Sequence, residues 1–156
     1  MATVASSQDG QYYLVHNVKD RQNAANKLAD IKTRLMDLTD DGGILRSKLQ
    51  HTQFEENPSM HPGSSSTSYS INKGEKIVMC LRDPRTQKIH DDNTLMYVAI
   101  HEAAHVACPE VGHTKTFQKH FTRLLKEAIR RGIYTDINYN KTPAPYCGIR
   151  IYERIL

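Results

Sequence analysis

From Thr94 to Val106 the chain is apolar on most sides: Leu95, Met96, Val98, Ala99, Ile100, Ala103, Ala104 and Val106 leave no face for water. A helix of that kind is a buried helix, and the rest of a 156-residue chain has to be built around it. The same stretch nevertheless carries His101, Glu102 and His105. Burying such groups without a compensating partner costs about 2–7 kcal/mol each, so the pattern calls for a partner.

The spacing says which kind. His101-Glu102-Ala103-Ala104-His105 is H-E-x-x-H. At about 100° per residue, the two histidines stand one helical turn apart on one face and can reach one ion. Imidazole nitrogen suits Zn²⁺ at about 2.0–2.1 Å. Glu102, beside the first ligand, is placed to reach a water that the metal activates, take its proton and return it to a leaving amine. A catalytic zinc needs a third protein ligand. His113 follows after VACPEVG, where Gly112 permits a sharp turn back, and it is the first candidate. Glu127, in a later helix, is the second and His120 the third; Glu110 lies in the intervening loop. His16, His51, His61 and His90 lie in polar segments and read as surface histidines.

Around this helix the pattern predicts few elements. Residues 1–10 are small and polar and read as a disordered or extended terminus, with one domain over 11–156. Gln11–Val18 reads as a short strand. Leu28, Ile31, Leu35 and Leu38 make the stripe of an amphipathic helix starting near Asp20 or Asn23 and stopped by Asp40-Asp41-Gly42-Gly43, with a shorter piece over Ile44–Gln50. His51 to Ser66, with Pro58, Pro62, Gly63 and three serines, reads as a loose loop that could cover a cleft. Thr67–Ile71 and Lys76–Leu81 read as a hairpin turning at Asn72-Lys73-Gly74-Glu75. A capped helix starts at Asn93 or Thr94, a second runs from Thr114 to Arg131, and Gly148–Tyr152 is a last strand candidate.

Composition narrows the setting. There is no apolar run of about 18 residues or more that could span a bilayer, and no secretory pattern at the N-terminus. Cys80, Cys108 and Cys147 are too few and scattered for a disulfide framework, which predicts a reducing, intracellular setting. Each reads as a small buried hydrophobe, with Cys108 or Cys147 open as a fourth metal ligand. The formal charge of +4 is compatible with nucleic acid without requiring it. Lys115, Lys119, Arg123, Lys126, Arg130 and Arg131 line the polar side of the second helix, either as a solvated face or as a track for DNA phosphates. Tyr146 or Tyr139 could donate to an oxyanion beside the metal; packing is the plainer role for both.

H-E-A-A-H followed by G-H-T-K-T-F (Gly112–Phe117) resembles the WLM/SprT-like zincin metallopeptidases. With Asn72-Lys73-Gly74, CLRDP (Cys80–Pro84) and YCG (Tyr146–Gly148), the chain is similar to WLM-domain proteins of large DNA viruses and algae over residues 11–152. The gap before His113 is longer than the five residues common in that family, which keeps Glu127 open. The resemblance implies an α+β zincin domain, a small sheet over the active-site helix, with an edge strand that pairs with extended substrate. It implies one Zn²⁺ per chain on His101, His105 and His113, with Glu102 as general base. It also implies a protein or peptide substrate, and, as for cellular relatives, proteins crosslinked to DNA. Either Ile77–Leu81 or its hairpin partner would bind substrate. The location expected is inside the host cell or packaged in a virion. The competing reading is a non-catalytic zinc protein, structural or DNA-associated, with a fourth protein ligand from Cys108, Cys147 or His120.

Overall fold

The computed structural model describes residues 1–59 and 67–151. β1 (Ala2–Ala5) and β2 (Tyr12–Val15) form an antiparallel ribbon, Ala2 opposite Val15. The N-terminus is therefore paired rather than frayed: Val4 packs on the core beside buried Tyr13 and Val15, and the Tyr13 hydroxyl donates to Asp9 at 2.6 Å. α1 (Arg21–Leu38) buries the stripe read from the sequence, Leu28, Ile31, Leu35 and Leu38, together with Ala24 and Ala25. α2 (Ile44–His51) follows.

A strand lies where a loop was expected. β3 (Gln53–Glu56) pairs in parallel with β5 (Lys76–Met79), and β4 (Tyr69–Ile71) pairs with β5 antiparallel, giving the order β3-β5-β4. The alternation that marks a strand is present, with Phe54 and Glu56 buried, but one inward residue is a carboxylate. Its charge is matched. The Arg82 Nε donates to Glu56 at 2.7 Å, and a second guanidinium nitrogen meets Asp20. The His16 backbone N–H takes the other Glu56 oxygen at 2.7 Å. His16 is thus a buried residue, not a surface one, with Nε2 against the Asn57 carbonyl at 2.6 Å. His51 is exposed, and His90 is half-buried. His61, the 60–66 part of the suggested cover and Tyr152 lie outside the described residues.

α3 (Asp92–Ala107) is capped at Asp91, two or three residues before the Asn93 or Thr94 expected to cap it. The Asp91 carboxylate caps it, accepting from the Thr94 N–H at 2.9 Å and the Thr94 hydroxyl at 2.8 Å. It packs against α1, α2, α4 (Lys115–Arg130) and β4, which is why it is apolar all round. Thr114 caps α4, accepting from the Phe117 N–H at 3.2 Å. The hairpin β6 (Ala144–Tyr146) and β7 (Ile149–Ile151) closes the described chain.

Two cysteines depart from the expectation. Cys80 and Cys147 form a disulfide across 67 residues, so Cys147 is not a free ligand and the pair is not merely hydrophobic filling. The free Cys108 is buried at the end of α3.

The β4–β5 turn fixes the sheet against α3. Asn72, Lys73 and Gly74 all have positive φ, and a Cβ on Gly74 (φ +115°) would stand 2.9 Å from the Val106 Cγ1. Gly74→Ala is therefore expected to destabilise the protein by about 1–3 kcal/mol. Urea unfolding checks this, and an unchanged midpoint would mean the turn has room to shift.

Candidate metal centre

The site is built on one helix and the turn after it. α3 places His101 and His105 one turn apart, half-buried, and its C-terminal break at Cys108-Pro109 ends in Gly112 (φ +87°), which turns the chain back so that exposed His113 faces both. The three Nε2 atoms form a nearly equilateral triangle: 3.3 Å from His105 to His101, 3.2 Å from His105 to His113 and 3.2 Å from His113 to His101. Ligands around a tetrahedral ion at about 2.0–2.1 Å stand about 3.3 Å apart, so the triangle fits such an ion. Three converging imidazole nitrogens offer one another lone pairs and cannot all be satisfied by hydrogen bonds among themselves. A cation satisfies all three. Among the described residues, these three form the cluster that could hold a metal ion.

Electrostatics keep the ligands ready. Burial, then the neighbouring imidazoles, hold His101 down to about 3, and burial, His113 and Lys73 hold His105 down to about 4. Both rings are neutral at neutral pH, the form that binds metal. Glu102, on the same helix, is only 5% exposed, and burial pushes its carboxyl up to about 8. A cation beside it would offset the burial, lower its pKa and leave the carboxylate ionised, free to accept a proton at neutral pH.

Aromatic rings and lysines hold the arrangement. Phe117 stacks on His105 with centroids 4.2 Å apart, and meets His101 at 5.1 Å and His113 at 5.0 Å edge to face. Phe121 meets His101 at 5.0 Å. Both were read as core, and they are, but the Phe117 ring also sets the ligand planes. The Lys73 ammonium donates to the His105 carbonyl at 3.2 Å and the Glu110 carbonyl at 2.6 Å, tying the β4–β5 turn to the end of α3 and to the loop that delivers His113. Lys48 donates to the Val106 carbonyl at 3.3 Å. Cations suit a helix C-terminus. Neither lysine has a signal in the sequence, because each contact joins elements far apart in the chain.

The triad opens into a cleft of about 800 Å³, lined by β4, Tyr97, Val98, Val111, Tyr146 and the β6–β7 hairpin. β5 is central and both its edges are paired, so of the two strands considered for substrate it is β4 that has an edge unpaired among the described residues. The Tyr146 hydroxyl lines the cleft but is engaged, donating to the Cys80 carbonyl at 2.7 Å and meeting Ser68. Tyr139 is buried against Tyr97, away from the cleft lining.

The other ligand candidates stand apart. Glu127 pairs with Arg130 and Arg131 (3.0 and 2.7 Å), which lower its carboxyl to about 2. The exposed Glu110 side chain bonds to Thr116 and Thr114. His120 and Cys108 are outside the cluster. The basic side of α4 borders a second groove, formed with the α1–α2 junction, and α4 contributes nothing to the cleft lining. Arg131 there also pairs with Asp40 at 2.8 Å. No helix among the described residues is long and apolar enough to cross a membrane.

No family model matches the chain. The uncharacterized protein R325 of Acanthamoeba polyphaga mimivirus is 38% identical across 98% of this chain and 83% of its own length. The uncharacterized protein 042R of Invertebrate iridescent virus 3 is 48% identical over 68 residues, 43% of this chain and 42% of that one. Among solved structures, Wss1 from Saccharomyces cerevisiae superposes with a TM-score of 0.63 at 18% identity, over 77% of this chain and 91% of that one. Wss1 from S. pombe gives 0.57 at 20% identity, over 74% and 89%. The α+β fold seen here is thus shared with Wss1.

Proposed function

This chain belongs to the family of the mimivirus protein R325, and we propose that it is a zinc metallopeptidase of the WLM type. The observation that carries the reading is the triangle of His101, His105 and His113 nitrogens beside a buried glutamate at the floor of an open cleft. These three histidines would hold the ion. Bound zinc polarises a carbonyl and lowers the pKa of a water towards about 7. Glu102 takes the proton from the attacking water and delivers it to the departing amine. The free edge of β4 binds extended peptide by backbone pairing, which gives little sequence preference. The fold shared with Wss1 supports the same reading.

The ligand set favours a catalytic ion over a structural one. A structural zinc has four protein ligands. Among the described residues the cluster offers three, with Cys147 engaged in its disulfide and Cys108 and His120 elsewhere. DNA-associated proteins are the substrate class we favour, supported by the exposed cations Lys115, Lys119, Arg123 and Lys126 along α4. Its viral relatives support a site of action in the host cell or the virion.

Metal analysis and cleavage assays test this together. Protein purified without chelator is expected to contain one zinc per chain and to cut an unfolded protein substrate. Stripping the metal abolishes cleavage and zinc restores it, with single-stranded DNA added to one arm to read a DNA requirement. Full cleavage by metal-free protein, or protein that takes up no zinc, rules the proposal out.

A further inference from the structure

The hairpin of β6 and β7 supplies Tyr146, Ile149, Arg150 and Ile151 to the cleft lining, yet among the described residues its two strands pair only with each other. What fastens it to the rest is concentrated at its turn. The Tyr146 hydroxyl reaches the Cys80 carbonyl, the Cys147 N–H donates to the His90 Nε2 at 3.1 Å, and the Cys147 sulfur is bonded to Cys80, just beyond the end of β5. The turn itself is unusual for a cysteine. Cys147 has φ +49° and Gly148 φ +84°, the two left-handed positions of a tight hairpin turn, where asparagine or glycine is at ease. A cysteine there bears backbone strain, and what it offers in return is a sulfur aimed at Cys80.

We propose that the Cys80–Cys147 bond is a redox-sensitive clasp that fixes this wall of the cleft, closed under oxidising conditions and opened by a dithiol reductant. The chemistry balances. A thiolate of the reductant attacks Cys80, which retains 7% of its surface while Cys147 is enclosed. Cys147 leaves as a thiolate and takes the proton of the reductant's second thiol, which then resolves the mixed disulfide; Cys80 is released as a thiolate that is protonated from solvent, and the reductant ends as a disulfide. Opening frees the wall without touching α3, which carries His101, Glu102 and His105. Cellular reducing power would thus set how firmly the cleft holds its substrate, and that part of the inference rests on the peptidase reading.

Hydrogen exchange over residues 144–151, with and without a phosphine reductant, reads the clasp directly. Exchange is expected to quicken at least tenfold on reduction while zinc content stays constant. Cys147→Ala should exchange fast in both conditions, and Cys108→Ala should respond as wild type does. Should the alanine variant fail to fold, the reduced wild-type protein serves in its place. In the cleavage assay, reduction is expected to raise KM at least fivefold with kcat little changed. Three alkylatable cysteines in denatured, unreduced protein, or exchange unmoved by reduction, would overturn the clasp. If neither state cleaves peptide, the peptidase reading fails, while the exchange result still decides the clasp.

Discussion

Glu102→Gln is expected to lower peptide cleavage by about 10³-fold, within the range that general acid–base catalysis supplies. The substitution keeps size and shape and removes only the ability to take a proton. Zinc content should stay at one per chain, because the cluster that can hold the ion consists of the three imidazoles. A second readout separates lost chemistry from lost folding. Burial pushes the Glu102 carboxyl from 4.5 up to about 8 in the metal-free protein. The native state therefore binds more protons than the unfolded chain between those values, and its stability falls as pH rises through them. Glutamine cannot ionise. The metal-free variant should thus be more stable than metal-free wild type at pH 8, by on the order of 4 kcal/mol, with the gap closing by about pH 4–5. Thermal melts across pH measure this. An inactive variant that has also lost zinc or stability would make Glu102 a structural residue.

His113→Ala is expected to weaken zinc binding by more than the roughly 10–100-fold that partners outside the ligand set are worth, and to abolish cleavage. This ligand is the clean one to remove, because it is exposed and leaves no core cavity, whereas His101 is wedged between Phe117 and Phe121. Glu127→Ala is the matched control. It breaks solvent-screened surface pairs with Arg130 and Arg131 and should leave zinc and cleavage unchanged. Competition against a chromophoric chelator gives both affinities. The opposite ranking would place the third ligand on α4.

How legible these features were depends on how far each reaches along the chain. α3 followed from its all-round apolar run, though its cap is Asp91 and not Asn93 or Thr94, α4 followed from its stripe and the Thr114 cap, and Gly112 pointed to His113, because all of these are written within one or two turns of helix. β3 was hidden because Glu56 occupies an inward position that normally marks a strand by its hydrophobicity, and its partner Arg82 is 26 residues away. β1 was hidden because its short run of small residues becomes a strand only through β2. The Cys80–Cys147 bond was missed because three widely spaced cysteines do not reveal a pairing. Lys73 was visible as a turn residue, but not as the side chain that ties that turn to the helix carrying His101 and His105. Local physics was read from the sequence; contacts made across the fold were not.

The buried charges around Arg82 constrain how this chain can diverge. Arg82 meets Glu56 and Asp20, and Glu56 also holds the His16 backbone, so β2, α1 and β3 converge on one ionic knot. Losing Arg82 alone leaves the buried Glu56 carboxylate with the His16 N–H but no countercharge, at about 3–5 kcal/mol, a large part of what a small domain has, and losing Glu56 alone leaves the buried guanidinium to the partly exposed Asp20 carboxylate. Replacing the pair together with apolar residues of similar volume avoids that penalty. Drift through single substitutions is therefore blocked at these two positions, and lineages should retain the pair or exchange it as a unit.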